Sequence, residues 1–152
     1  MARKPVPHRA DYRSFHRVTT RWMDNDVYGH VNNAHYFSFF DSAVNAFLIA
    51  EGGLDVQRGP VVGFVVSSGC DFHAPVAYPE PVEVGIRVEE LGRSSARYGV
   101  ALFADGDDRA RAAGHMVHVF VTRETGKSTP IPDPIRAALL GLRGSPAGQP
   151  AR

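Results

Sequence analysis

Apolar and polar positions alternate from Phe15 to Trp22 (FHRVTTRW), and the residues favour extended backbone, which predicts a first strand. From Ala34 to Gly53 the period changes. Tyr36, Phe37, Phe40, Ala43, Val44, Phe47 and Leu48 recur at steps of three and four, the spacing of a helix with one buried face. Phe39, Ala46, Ile49 and Ala50 widen that face, so the helix is expected to be buried on most sides. Asn32 or Asn33 can cap its start and Gly52-Gly53 can end it. At about 1.5 Å per residue such a helix is roughly 25 Å long and can cross a small sheet.

Beyond the helix the pattern is that of strands. Val61 to Ala74, Val82 to Val88, Ala96 to Phe103 and Ala110 to Thr122 are β-favouring runs. The segments around Pro79 and Pro81, Gly92 to Ser95 and Asp105 to Asp108 read as turns between them. Met116, His118 and Phe120 fall on one face of the last strand and Val117, Val119 and Val121 on the other. Pro130, Pro132 and Pro134 precede a short helix from Ile135 to Leu140. One strand, one long apolar helix and about four more strands make an α+β chain, in which an antiparallel sheet buries one face against the helix.

The 152 residues fit one domain. A mobile arm is expected over 1–13, the domain over 14–141 and a disordered Gly/Pro/Ala-rich tail over 142–152. The basic start has no apolar run behind it and does not read as a secretory signal; with no membrane-length apolar run, the expected location is cytoplasmic. A formal net charge of +1 and no basic stripe disfavour nucleic acid as a partner. Cys70 stands alone, so no intrachain disulfide can form.

The densest polar chemistry lies between the first strand and the helix, in RWMDNDVYGHVNN, Arg21 to Asn33. Two acids two residues apart are, by themselves, more often a solvated turn than a site. His30 and His35 near Asp26 do not make a zinc pattern, and no metal or other cofactor is expected. His115 and His118 occupy opposite faces of a strand, and Cys70 reads as a small apolar residue rather than a nucleophile. Asp41 is expected to face solvent or a subunit interface.

The run Arg21-Trp22-x-Asp24-x-Asp26-x-x-Gly29-His30-Val31-Asn32-Asn33-Ala34-x-Tyr36 leads directly into the helix. Together with Asp71-Phe72-x-Ala74-Pro75-Val76 and Leu91-Gly92-Arg93-Ser94-Ser95, it resembles the 4-hydroxybenzoyl-CoA thioesterase family of hotdog-fold acyl-CoA thioesterases. The likeness spans about Phe15 to Thr122. It implies a hotdog fold, with a sheet of about five strands wrapped around one long central helix. It implies hydrolysis of an acyl-CoA thioester, with Asp26 as the catalytic carboxylate and a backbone N–H near Asn33 polarising the carbonyl. Asp24 keeps a structural role. The site would lie between subunits, so a homodimer at least, and a homotetramer by expectation, is implied.

The chemistry is consistent with that assignment. A carboxylate just before a helix can attack a thioester or activate water, and free N–H groups of the first helical turn can hold an oxyanion. Gly29 allows a tight turn, and His30 is a candidate for orienting the loop or touching substrate. Tyr28 and Tyr36 are candidate substrate-lining residues. Arg93, with Ser94 and Ser95, is the candidate dock for coenzyme A phosphates, with Arg87 and Arg97 as helpers. Two other functions compete: a hydroxyacyl-thioester dehydratase, whose histidine–acid pair across a subunit interface His30 and Asp41 could imitate, and an acyl-CoA binding module without catalysis.

Overall fold

The computed structural model describes residues 3–144. Helix α1 runs Asn33–Gly52. Asn32 caps it, its side-chain oxygen accepting the Ala34 N–H at 2.9 Å, and Gly53 ends it in the left-handed region at φ 67°. Tyr36, Phe39, Phe40, Ala43, Val44 and Leu48 are buried, a single stripe at steps of three and four. Burying side chains of this size stabilises a fold by roughly 1.5–3 kcal/mol each.

The helix is thus covered on one face rather than on most sides. Ile49 remains 47% exposed, and Ala50 is exposed as well. One chain supplies a single sheet to pack against, so the wider apolar face of α1 has no second layer over it.

Strands β1 (Ser14–Val18), β2 (Val61–Phe72), β3 (Val82–Leu91), β4 (Ser95–Ala104) and β5 (Ala112–Thr122) form one sheet in the order β1-β3-β4-β5-β2, antiparallel throughout. Val84, Ile86 and Val88 of β3, Tyr98, Val100 and Leu102 of β4, and Met116 and Phe120 of β5 meet α1 in the main core. A shorter helix, α2 (Asp133–Leu140), adds Ile135 and Leu139 beside the end of α1. An antiparallel sheet wrapped on one long helix is the hotdog arrangement, with the strands close to their expected limits.

Three details depart from the sequence pattern. Strand β1 stops at Val18, and Trp22–Asp24 form a 3-10 turn instead of its last residues. Trp22 is left 84% exposed. Residues set apart as an arm are packed in part: Tyr12 is buried with Ala101, Phe103 and Ala110 on the outer face of the sheet, and Val6 joins them. Isolated apolar residues such as these carry no period. Only the bare odd-numbered face of β4 gives them somewhere to pack. Leu142, placed in the tail by sequence, is also buried, while residues 145–152 lie outside the described chain.

Candidate active site

The loop between β1 and α1 is held by its first acid. Asp24 is fully buried and accepts the Arg21 N–H at 2.8 Å and the Arg21 guanidinium at 2.9 and 3.1 Å. Its carbonyl accepts the Asn32 N–H at 2.9 Å, which ties the loop's start to the beginning of α1. Asp24 is therefore spent on structure.

The second acid is differently placed. Asp26 opens a tight turn: its carbonyl accepts the Gly29 N–H at 3.0 Å, with Gly29 at φ 83°, where a side chain would be strained. One carboxylate oxygen accepts the Tyr28 N–H at 2.9 Å and the other the Asn32 side-chain amide at 3.0 Å. The Asp26 N–H donates to the His30 carbonyl at 2.9 Å. Asn32 thus caps α1 with its oxygen and orients Asp26 with its nitrogen. For the Asn32 side chain the sequence offers only a cap; its place six residues after Asp26, across a glycine turn, is the available signal.

At the helix start, Ala34 N–H is taken by Asn32 Oδ1 and His35 N–H by the Asn32 carbonyl at 3.0 Å. The Asn33 N–H has no protein acceptor among the described residues. It is the free donor at the positive end of the α1 dipole, and it lies beside the turn that carries Asp26.

A cleft of about 410 Å³ is lined by Asp26, Tyr28, His30, Val31, Asn33, Tyr36, Phe72, His73, Ala74 and Pro75. All four sequence candidates for catalysis lie in or beside it, as do Tyr28 and Tyr36. Its far wall is the end of β2 and the segment after it, Phe72 to Pro75, residues that in the sequence carry the family likeness but no site role. Val31 N–H joins that wall to the loop through the Val76 carbonyl at 2.8 Å, and Asn25 reaches the Tyr78 N–H at 3.0 Å. Tyr36 packs edge-on against Phe72 with ring centroids 5.1 Å apart. Burial pushes the Tyr36 phenol up, opposed in part by the Val76 backbone, so it stays a hydroxyl donor.

The Arg93 group lies elsewhere. Val18 pairs with Val82 at one end of β3, next to the Asp26 loop, whereas Arg93 to Ser95 follow the other end. Ten residues of strand at about 3.3 Å each separate the two ends by about 30 Å. Backbone groups of this turn are occupied: Arg136 donates to the Gly92 and Arg93 carbonyls, Ile131 N–H to Arg93 and Phe120 N–H to Ser94. Within one chain Arg93, Ser94 and Ser95 do not meet the cleft. Arg87 and Arg97 both bond Glu89, at 3.3 and 3.0 Å, and do not line it either.

Other candidates resolve similarly. Asp41 bonds Asn45 and is absent from the cleft wall, so His30 and Asp41 are not brought together within one chain. Cys70 is half-buried and burial raises its thiol to about 11, which suits packing and not attack. His118 is buried and bonds the Tyr98 hydroxyl at 3.2 Å, and His115 bonds Ser67 on the other face. Among the described residues no three His, Cys, Asp or Glu side chains cluster closely enough to hold a metal.

The sequence pattern of the Thioesterase-like superfamily matches residues 18–139, a span that includes the whole Asp26 cleft. The chain belongs to that superfamily. This thioesterase-like chain is 53% identical to the PA5185 protein of Pseudomonas aeruginosa strain PAO1, whose crystal structure superposes with a TM-score of 0.92 and covers 93% of this chain and 99% of its own. It is 31% identical to a Thermus thermophilus thioesterase solved with coenzyme A and zinc, at a TM-score of 0.70, covering 84% of this chain and 98% of the other. A 1,4-dihydroxy-2-naphthoyl-CoA thioesterase from Synechocystis, 18% identical over 84% of this chain and 96% of its own, shares the fold at a TM-score of 0.75. Fold and superfamily together make thioester hydrolysis the reaction class of this hotdog chain.

Proposed function

We propose that the chain hydrolyses an acyl-CoA thioester to the free acid and coenzyme A. One observation carries the reading. The Asp26 carboxylate, aimed by Asn32, stands at the lip of an aromatic-walled cleft beside the unsatisfied Asn33 N–H. A thioester carbonyl seated there would present its carbon to Asp26 and its oxygen to the N–H. Asp26 acts as nucleophile or as the base that activates water. The N–H and the helix dipole stabilise the oxyanion, a donor whose loss costs about 10²–10³ in rate at comparable sites. His30 and Tyr28 border the acyl-binding space, and Tyr36 offers a hydroxyl to it. The coenzyme A in the 31%-identical Thermus thioesterase supports the choice of thiol.

The working unit is proposed to be at least a homodimer. Strand β2 lies at the sheet edge, with Phe64, Val65 and Val66 each about half exposed or more. Antiparallel pairing of two β2 edges would extend the sheet, cover these residues and bring one chain's Arg93 end beside the other's Asp26 end. Any contact of Arg93, Ser94 or Ser95 with substrate would be made in this way, across subunits.

The test is a panel of acyl-CoA esters differing in length and aromaticity, followed by thiol release, with Asp26→Asn as control. Turnover that falls by about a hundredfold or more in the variant, with the circular dichroism spectrum unchanged, supports the assignment. Full activity in Asp26→Asn removes it. Sedimentation showing a fully active monomer removes the dimer.

A further inference from the structure

The segment His73–Pro75 separates two hollows. One side is the Asp26 cleft. The other is a hollow of about 350 Å³ lined by Val6, His73, Ala74, Asp107, Arg109, Ala110 and Arg111. The shared wall is rigid: His73 and Ala74 N–H groups both donate to the Arg111 carbonyl, at 2.8 and 3.0 Å, and the Arg111 guanidinium donates to the Pro75 carbonyl at 2.7 Å.

The charges in this hollow are unequally committed. Asp107 accepts the Arg111 guanidinium at 3.2 Å on one oxygen and the Arg109 N–H at 3.1 Å on the other. The neighbouring acids are also engaged, Asp108 by His8 and Asp71 by Lys4. The Arg109 guanidinium is exposed and meets no acceptor among the described residues, and the His73 ring has no hydrogen-bond partner there. The backbone beneath Arg109 is nonetheless pinned, by the His8–Arg109 bridge and by the Ala110 N–H to the Pro7 carbonyl at 2.9 Å. An uncommitted cation on a fixed turn, one short segment away from the catalytic cleft, is suited to a phosphate.

We infer that Arg109, with His73 beside it, binds the phosphate-bearing nucleotide end of the thioester substrate on the same chain that supplies Asp26. This rests on the acyl-CoA reading above. The acyl group would occupy the Asp26 cleft, the pantetheine arm would cross the His73–Pro75 wall, and the phosphates would lie against Arg109. Arg111 is a positioning residue here, because its guanidinium is already divided between Asp107 and Pro75.

The experiment compares one acyl group carried on coenzyme A and on N-acetylcysteamine, which has no phosphate. In Arg109→Ala the KM ratio of the first ester to the second should rise about three- to fivefold, the size expected for an exposed ionic contact. Arg109→Glu should raise it further, and Arg109→Lys should restore most of it. Added salt should raise KM for the coenzyme A ester in the parent protein and do so less in Arg109→Ala. If the parent hydrolyses both esters and the ratio is unmoved in Arg109→Ala and Arg109→Glu, this assignment falls and the thioesterase reading stands. If the parent hydrolyses neither, the reading of the Asp26 cleft falls, and this one with it.

Discussion

The two ends of the sheet carry similar sequence signals and have different fates. Both are loops with charged residues next to small ones, and both belong to the family likeness. At the Asp26 end, the loop holds a carboxylate at the lip of a cleft and leaves a backbone N–H free beside it. At the Arg93 end, the turn's carbonyls are taken up by Arg136, Ile131 and Phe120, and serve to fasten α2 and β5. The lesson concerns placement. A turn whose carbonyls fasten neighbouring elements is scaffold, and one that fixes a carboxylate next to a free backbone N–H at a cleft can do chemistry.

The sharpest way to break this contrast is at Asp26. Asp26→Asn should lower kcat by about a hundredfold to ten-thousandfold with the fold intact, measured by thiol release and circular dichroism. Asn32 comes next, because it acts on both the helix and the acid. Asn32→Ala should cost about 1 kcal/mol in urea unfolding and lower kcat by about tenfold. Asn32→Ser keeps a capping oxygen but not the amide that holds Asp26. It should recover the stability and leave kcat low. Recovery of both would make Asn32 a cap alone.

At the other end the order of effects reverses. Arg136→Ala should destabilise by about 1 kcal/mol through the freed Gly92 and Arg93 carbonyls, with kcat and KM unchanged. Arg93→Ala should raise KM for a coenzyme A ester less than Arg109→Ala does. A larger effect at Arg93 would return the phosphate site to the far turn of a neighbouring subunit.

The smallest effect concerns the core between these ends. Burial depresses the His118 pKa, with Asp41 opposing. The neutral ring is therefore favoured in the folded state, and the unfolded chain binds the extra proton. Its contribution to stability is present above the unfolded value of about 6.5 and is lost as pH falls through the lower folded value. His118→Gln should flatten that acid limb in unfolding titrations. Asp41→Asn, by removing the opposing charge, should move it to lower pH. An acid limb unchanged in both variants would assign it to other groups.

The hydrophobic period of α1, the five strands and the turn residues between them were legible because each is a local pattern with one physical solution. The Asp26 loop was legible for a related reason: acid, glycine, histidine and asparagines are compressed into a few residues that run straight into a helix, so chain connectivity alone keeps them close. What lay beyond the sequence depended on contacts between distant segments. That Asn32 holds Asp26, that Phe72 and Pro75 face them, that Tyr12 packs on β4, and that Arg109 stands next to the cleft while Arg93 lies a strand's length away were decided by strand register and by what the folded chain leaves uncovered. Local periodicity says which face of an element is apolar. Only the packed sheet determines which polar groups are left without partners, and where.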